Sequence, residues 1–404
     1  MKVEGSQTGD RIRADVKREL DEVGRQEDWL TNWVTDGEGK QKSAREVGRH
    51  DRVGLKTTHT ATCVDHTAHL AVEDALEGRG VWGVKEAVDK VRKVLNKMKD
   101  SHKMKEAFQE VMKEAGDDPL AVIQGTSNRW YYRFVEAERF LLLKHHVEKF
   151  QDEFEDMPAE LVLQQEDWHN LSIYVRCVKA LSDASTIFEG DTYPSASLVI
   201  PYLDQVLADL KELIPRLPEA DQPFPKSLLT CLKGANRFPR GYKTLCPFNC
   251  LCLLDPNHMD IYFSEEETAQ AIEDLVNDEV YDDLLAEGLH QANPAPLLPQ
   301  VPQPGDRFAA RRAQLLASKP AAVGLPDNTA PRNVKEKIKQ ELAKFLQGRN
   351  SVVVKTNSLL WWREHASEFP LLARYYRSHC AFPATSTSSE RVFNCEGLIV
   401  TNSR

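Results

Sequence analysis

One stretch near the end of the sequence decides how the rest is interpreted: residues 361–397 read WWREHASEFPLLARYYRSHCAFPATSTSSERVFNCEG. It opens on two adjacent indoles, Trp361 and Trp362, and continues as an apolar segment that predicts a helix. A Pro-Ala-Thr-Ser turn then leads into a second predicted helix that carries Glu390. Ser386 or Thr387 can cap this helix, with Glu390 near the capping-box position. The pattern therefore predicts two helices, the second with an acidic group near its start.

Length and composition place the chain among globular proteins large enough for two or three domains. It has 404 residues, of which 41% are hydrophobic and 28% charged. No apolar run reaches the length of a membrane span, and the segment after Met1 lacks the apolar core of a signal peptide. Eight scattered cysteines favour a reduced intracellular setting. The net charge of −10 argues against a uniformly basic surface for nucleic acid, but it leaves room for a local basic patch.

The first hundred residues show mixed periodicity. Residues 10–23 are predicted to form an amphipathic helix, and residues 29–35 a short strand. Residues 57–64 fit either a strand or the start of a helix. Residues 66–76 and 84–98 then carry apolar side chains at helical spacing.

The rest of the chain is mostly helical in pattern. Residues 130–150 predict one dense aromatic helix, and amphipathic helices continue to residue 289. Residues 293–331 are rich in proline and alanine, which predicts an extended linker with room for a short helix at residues 307–318. A new amphipathic helix begins at Val334 and leads into the terminal stretch.

Asp36 is the first candidate for chemistry, because it follows the predicted strand directly. Ligands and metals often bind at strand ends in α/β sheets, and a carboxylate there can bind Mg²⁺ in a two-metal nuclease site. Asp-Gly is also a common turn, which is the more frequent meaning of this pair alone.

Cys63 and His66 have the spacing of a Cys-x2-His pair, which invites a zinc site. A structural zinc site needs four ligands, and only His59 and His69 lie nearby. The pattern therefore favours packing or support of an active site over zinc. Four further cysteines lack zinc spacing and are predicted to be buried thiols: Cys231, Cys246, Cys250 and Cys252.

Trp130 follows Arg129 at the start of the aromatic helix. An indole face can stack on an unpaired base, so a contact with DNA is one interpretation. The other is that Trp130 fills a helical core, and the residues leave both open. For Tyr131, Tyr132 and Phe134 the core is the better interpretation.

The order and spacing of these motifs resemble those of hAT-family transposases. The terminal stretch resembles the family's C-terminal dimerisation signature. Cys63 and His66 resemble its Cys-x-x-His-Thr pattern, and Arg129–Trp130 resembles its Arg-Trp motif. The Val-Thr-Asp segment that ends at Asp36 also matches, although Glu-Gly-Lys follows where the family has Ala-Ser-Asn. The resemblance covers almost the whole chain.

This resemblance implies a catalytic set. Asp36 and Glu390 would be two acids of an Asp-Asp-Glu triad that binds Mg²⁺ in an active enzyme. Cys63 and His66 would belong to the core beside them. The triad's other Asp lies on the first core strand of the family, and residues 1–35 offer no matching strand.

The resemblance also implies binding residues. Arg129 and Trp130 would contact DNA, with Trp130 stacked on an extruded base. Aromatic anchors suit the core of an interface, although the same side chains can instead pack within one chain. The residues expected at a dimer interface are Trp361, Trp362, Phe369, Leu372, Tyr375, Tyr376, Val392 and Phe393.

The implied fold class is α/β: an incomplete RNase H-like core interrupted by a large all-α insertion, mostly helical overall. Residues 1–110 are predicted to form the N-terminal part of the core, without its first strands, and residues 111–292 the insertion. Residues 293–333 would be the linker. Residues 334–404 would be the dimerisation region that completes the core.

The chain is therefore expected to be a catalytically inactive, transposase-derived protein that dimerises with itself or with related hAT proteins. The expected setting is the nucleus, with DNA as a further partner and with no membrane, cofactor or structural zinc. One alternative is a fragment of an active transposase that cuts and joins DNA with Mg²⁺. Another is a helical scaffold for a protein partner.

Overall fold

The computed structural model describes residues 18, 21–22, 32–35, 59–116, 130–190, 192–234, 237–238, 240–278, 281, 306–319, 333–350 and 356–387. These residues are mostly helical. Five residues with predicted roles lie outside them: Asp36, Arg129, Glu390, Val392 and Phe393.

Two short strands and a series of helices make up the described part of the chain. The strands are β1 (Asn32–Thr35) and β2 (His59–Thr62). The helices are α1 (Val64–Leu76), α2 (Trp82–Asp100), α3 (His102–Glu114), α4 (Trp130–Leu142), α5 (Lys144–Glu153), α6 (Gln165–Phe188), α7 (Val199–Leu213), α8 (Pro223–Leu232), α9 (Arg240–Lys243), α10 (Phe248–Leu254), α11 (Glu265–Val276), α12 (Asp306–Ser318), α13 (Val334–Gln347), α14 (Ser358–Glu364) and α15 (Pro370–His379).

The chain folds as two compact units. The first comprises Met1–Thr67, Ser185–Gln205 and Phe238–Arg404, and the second comprises Ala68–Ala184 and Val206–Arg237. These units divide the chain differently from the predicted domains. Residues 68–110 belong to the helical second unit, and residues 238–278 belong with the C-terminal region in the first.

The second unit is a set of amphipathic helices around an apolar core. In α2, the side chains at three- and four-residue spacing are apolar and buried, while most lysines and acids occupy the other face. The buried residues are Val84, Ala87, Val88, Val91, Val94, Leu95 and Met98. The Ser101 hydroxyl caps α3 by accepting from the amide of Met104 at 3.2 Å. Phe108 of α3 meets Phe150 of α5 edge to face, with ring centroids 5.6 Å apart. The predicted aromatic helix over residues 130–150 is divided at Leu143 into α4 and α5.

Ion pairs tie the helices of the second unit together. Arg133 of α4 approaches Glu73 of α1 at 3.3 Å and Asp89 of α2 at 3.6 Å. Lys90 of α2 donates to Asp167 of α6 at 2.7 Å. Because both partners of each contact are at least partly shielded from water, these pairs fix helix packing more firmly than fully exposed pairs would.

The first unit holds the strands, which pair in parallel with Asn32 opposite His59 and Thr35 opposite Thr62. Helix α10 is fully enclosed and apolar at every position except Asn249, and Cys250 and Cys252 are 0% exposed within it. The predicted buried thiols are thus confirmed at these two positions, whereas Cys231 and Cys246 are partly exposed.

The proline-rich segment contains a helix that packs into the first unit. Helix α12 confirms the short helix predicted at residues 307–318. Phe308 stacks on Tyr202 with centroids 4.8 Å apart, and Arg312 donates to the carbonyl of Asn257 at 2.6 Å. Both Phe308 and Arg312 are buried. The segment is therefore anchored to the core at its middle.

Candidate functional site

Three chain segments meet at Cys63, which we call the Cys63 junction. The amide of Cys63 donates to the carbonyl of Thr35, the last residue of β1, at 2.6 Å. The next amide, that of Val64, donates to the carbonyl of Ala384 at 3.1 Å. The amide of Ser386 donates back to the Cys63 sulfur at 3.4 Å. The end of an early strand and a segment near the C-terminus therefore contact the same two residues.

Asp65 extends the junction through its carboxylate. Its Oδ1 accepts a hydrogen bond from the Ser185 hydroxyl at the end of α6, and its Oδ2 accepts one from the Thr387 hydroxyl at 3.4 Å. The Ser195 hydroxyl accepts from the amide of Ala384 at 3.1 Å. The segment 384–387 is thus held along its length by partners from two other parts of the first unit.

A row of aromatic rings lies beneath the junction. The Thr67 hydroxyl bonds to the Cys63 carbonyl at 3.1 Å and to the Tyr242 hydroxyl at 3.0 Å. Tyr242 contacts Phe248 at 5.0 Å between centroids, and Phe248 contacts Phe382 at 5.3 Å. Phe248 and Phe382 are both almost completely buried. The polar contacts of the junction therefore lie against aromatic rings that are buried from solvent.

The Cys63 thiol is a structural group in this setting. It is 3% exposed, and burial raises its pKa, with a further increase from the nearby Asp65 carboxylate. The hydrogen bond from Ser386 opposes this shift only in part. A neutral, enclosed thiol is a poor nucleophile and a poor metal ligand. In the part of the chain that the structure describes, three or more His, Cys, Asp or Glu side chains nowhere gather as a metal site requires.

The predicted catalytic acids flank the junction in sequence. Asp36 follows Thr35 directly, and Glu390 lies three residues beyond Thr387. Both acids lie outside the described residues, so their roles stay predictions. What the structure places together are their neighbours, because Thr35 and Ser386 both bond to Cys63.

Trp130 lies inside the second unit. Its side chain is 1% exposed, and its backbone amide donates to His69 Nδ1 at 3.3 Å. Its ring meets Tyr131 edge to face at 6.1 Å. The predicted stacking of Trp130 on a base stays a prediction, and it requires the indole to move out of this environment. Arg129, its predicted partner in DNA binding, is outside the described residues.

The predicted interface residues divide sharply by burial. Trp361 is partly exposed, whereas the other described members are at most 4% exposed: Trp362, Phe369, Leu372, Tyr375 and Tyr376. Val392 and Phe393 lie outside the described residues. The five buried side chains have almost no surface to offer a partner in this conformation, so among the described members Trp361 is the one that can contact a partner directly.

Hydrogen bonds show why these aromatic residues face inward. The Trp362 indole donates to the carbonyl of Leu254 at 2.8 Å, and the Tyr376 hydroxyl donates to Ser358 at 2.9 Å. The Tyr375 hydroxyl lies 3.3 Å from the Cys246 sulfur. A buried indole or phenol needs a polar partner for its donor group, and each ring has one.

Glu341 of α13 is a structural residue that the sequence pattern did not reveal. Its carboxylate accepts from the amides of Leu371 and Leu372 at 3.0 and 3.1 Å, in the first turn of α15. The N-cap of α15 is Phe369, whose side chain cannot accept a hydrogen bond, so these amides need a distant partner. Burial raises the pKa of Glu341 to about 7.

The only sequence signal for this contact was indirect: a helix start at Phe369-Pro370 with no capping side chain of its own. Asp65, Ser185 and Thr387 were likewise not predicted as a group. Their contacts join residues more than a hundred positions apart, which local patterns do not encode.

Comparison with known protein families gave two matches. Residues 61–177 match the model of the ZBED1 RNase-like helical domain, and residues 340–404 match the hAT family C-terminal dimerisation region. No curated protein matched the chain in a sequence search. Within the described ranges, every helix is too short or too polar to cross a membrane.

Replacing Asp65 by alanine is expected to loosen the segment 384–387. The change removes the acceptor for both Ser185 and Thr387, which costs about 1–3 kcal/mol of unfolding free energy. Hydrogen exchange at the amides of Ala384 and Ser386 should become faster. Asp74→Ala, which removes an exposed carboxylate from the same helix, is the matched control and should leave these amides unchanged. Equal protection in both variants would contradict this role for Asp65.

Glu341 is expected to make stability fall as pH rises. Its folded pKa of about 7 lies above the ordinary value of 4.5, so the folded state holds the proton more tightly. Its contribution is complete below pH 4.5 and is lost as pH rises through 7. Between pH 5 and 8 the wild type should lose about 2 kcal/mol more than Glu341→Gln, after allowance for partial exposure. Denaturant unfolding at both pH values measures this, and identical pH slopes would exclude it.

Proposed function

We propose that this chain, which is an hAT-family transposase-derived protein, acts by associating with a second copy of itself or with related hAT proteins. The observation that carries this proposal is the match of residues 340–404 to the hAT dimerisation region. The described part of that region is folded, with α14, α15 and most of α13 packed into the first unit. The proposed setting is the nucleus, with DNA as a further partner.

The chain by itself does not cut or join DNA in this proposal. The resemblance to hAT transposases provides counterparts for two of the three acids, Asp36 and Glu390. A two-metal site uses its carboxylates to hold both ions at a fixed separation, and the loss of one bridging ligand removes that clamp. Association then becomes the activity that the remaining structure can support.

An RNase H-like core is part of the proposal. Two features support it: the parallel pairing of β1 with β2, and the contact of both β1 and the segment 384–387 with Cys63. In such a core, strand ends and a late helix bring the acids together. The described residues include Thr35 and Ser386, which lie near those acids in sequence, but not the acids themselves.

The same geometry favours a second candidate, metal-dependent DNA strand cleavage. Thr35 and Ser386 are both hydrogen-bonded to Cys63. An active acid cluster would need its two acids, Asp36 and Glu390, to follow chain segments that are held close together in this way. Under this candidate the third acid comes from elsewhere, and Asp36 and Glu390 bind Mg²⁺.

Sedimentation velocity of the full chain tests association. The wild type is expected to sediment as a dimer in the micromolar range and to dissociate on dilution. A monomer at every concentration up to about 100 μM, well above typical weak dimer affinities, would exclude self-association as the activity.

A cleavage assay separates the two candidates. With Mg²⁺ or Mn²⁺ and a double-stranded DNA substrate, the wild type is expected to give the same background as Asp36→Ala. Metal-dependent cleavage that disappears in both Asp36→Ala and Glu390→Ala would instead establish the catalytic candidate. The Asp74→Ala variant controls for contaminating nuclease, because it removes a carboxylate remote in sequence from both acids.

A further inference from the structure

Two thiols lie next to each other at the start of α10. The Sγ atoms of Cys246 and Cys250 are 3.7 Å apart, which brings the two side chains into contact. The residues differ in access, since Cys250 is 0% exposed and Cys246 is partly exposed. Cys246 lies in the turn before Phe248, the first residue of α10, so it can move toward Cys250 without unwinding the helix.

Two polar groups lie beside the Cys246 sulfur. The Cys246 thiol donates to Asp278 Oδ2 at 3.9 Å, so the thiol proton already has an acceptor. The Tyr375 hydroxyl lies 3.3 Å from the same sulfur and can donate to it once the proton has left, which favours the thiolate. Cys250 has the opposite setting, because burial raises the pKa of its thiol. Cys246 is therefore the thiol equipped to react first.

We propose that Cys246 and Cys250 form a reversible redox site, which hydroperoxides oxidise to a disulfide. This inference goes beyond association with a second copy and does not depend on it. In the first step, the Cys246 sulfur attacks one oxygen of hydrogen peroxide. The O–O bond breaks, the sulfur is oxidised to a sulfenic acid, and the second oxygen leaves as water with the thiol proton.

The second step closes the disulfide. The Cys250 sulfur attacks the sulfenic sulfur of Cys246, the S–O bond breaks, and the hydroxyl group leaves as water with the Cys250 proton. Two thiols and one hydrogen peroxide thus give one disulfide and two molecules of water. The two sulfurs close from 3.7 Å to about 2.05 Å in this step.

Reduction returns the site to its starting state. Two molecules of a small thiol such as glutathione reduce the disulfide to Cys246 and Cys250 thiols and are themselves joined as a disulfide. In a reducing compartment, disulfides are usually transient or redox-sensing. A pair with one partly exposed member is open to such exchange, whereas a fully enclosed disulfide is shielded from it.

Peptide mapping of the full wild-type chain tests the pairing directly. The native protein is treated with equimolar hydrogen peroxide, the remaining thiols are alkylated, and the chain is cut with chymotrypsin. Cleavage after Phe248 separates Cys246 from Cys250, and cleavage after Leu251 separates Cys250 from Cys252. The peptides of Cys246 and Cys250 should stay joined until a reductant is added. Separate peptides, or a link from either to another cysteine, would overturn the proposal.

Single substitutions test the order of the steps. In Cys250→Ala, the sulfenic acid of Cys246 has no neighbouring thiol to react with, so dimedone should label it. In Cys246→Ser, Cys250 should stay reduced, because it is enclosed. The absence of dimedone label in the first variant, or oxidation of Cys250 at an unchanged rate in the second, would overturn the assignment of Cys246 as the first thiol to react.

Cys231→Ser is the matched control for these variants. Cys231 is also partly exposed, but it belongs to the second unit. Its replacement should leave the yield of the Cys246–Cys250 disulfide unchanged, and a loss of that disulfide would contradict the proposal. Circular dichroism confirms that each variant is folded, and the mapping of the wild-type chain stands without any substitution.

Discussion

The fold of the first unit depends on the hydrogen bonds of Cys63 and its neighbours. Ser386 and Cys63 are 323 positions apart, and closing so long a loop costs about 5 kcal/mol in a simple chain model. A few hydrogen bonds worth about 1 kcal/mol each do not offset that cost alone. Burial of the rings beneath them, at about 1.5–3 kcal/mol for each phenylalanine, supplies most of the balance. The aromatic row from Tyr242 through Phe248 to Phe382 thus supplies most of the stabilising free energy, while the hydrogen bonds set the register of the segment 384–387.

Local features of this structure could be predicted from the sequence, and long-range ones could not. The strand that ends at Thr35 and the short helix α12 follow from periodicity and proline placement. Residues 57–64 fitted both a strand and a helix start, and they contain both, since β2 ends at Thr62 and α1 begins at Val64. The partners of Asp65 and Glu341 escaped prediction because each carboxylate satisfies groups from a distant segment. Tertiary packing decides such contacts, and no local pattern records them.

The terminal stretch shows why composition alone cannot separate a core from an interface. Both are built from aromatic and aliphatic side chains, so the sequence marks them identically. Trp361 and Trp362 are adjacent, which on a helix turns them about 100° apart. That rotation places Trp362 in the core, where its indole reaches Leu254, and leaves Trp361 at the edge of the surface. Two adjacent and identical residues therefore differ in their burial.

Folding and chemistry are separable in this arrangement. The contacts described for the Cys63 junction use backbone groups, a thiol, hydroxyls and the Asp65 carboxylate, whereas Asp36 and Glu390 lie outside the described residues. Carboxylates gathered around a metal repel one another when the metal is absent, so a catalytic acid cluster stabilises a fold little or not at all. A chain that lacked one acid of such a cluster would keep the described contacts of the junction, the aromatic rings beneath it and the cap that Glu341 provides to α15. The described contacts within residues 340–387, part of the match to the hAT dimerisation region, can therefore hold that part of the chain in shape without a metal-bound acid cluster.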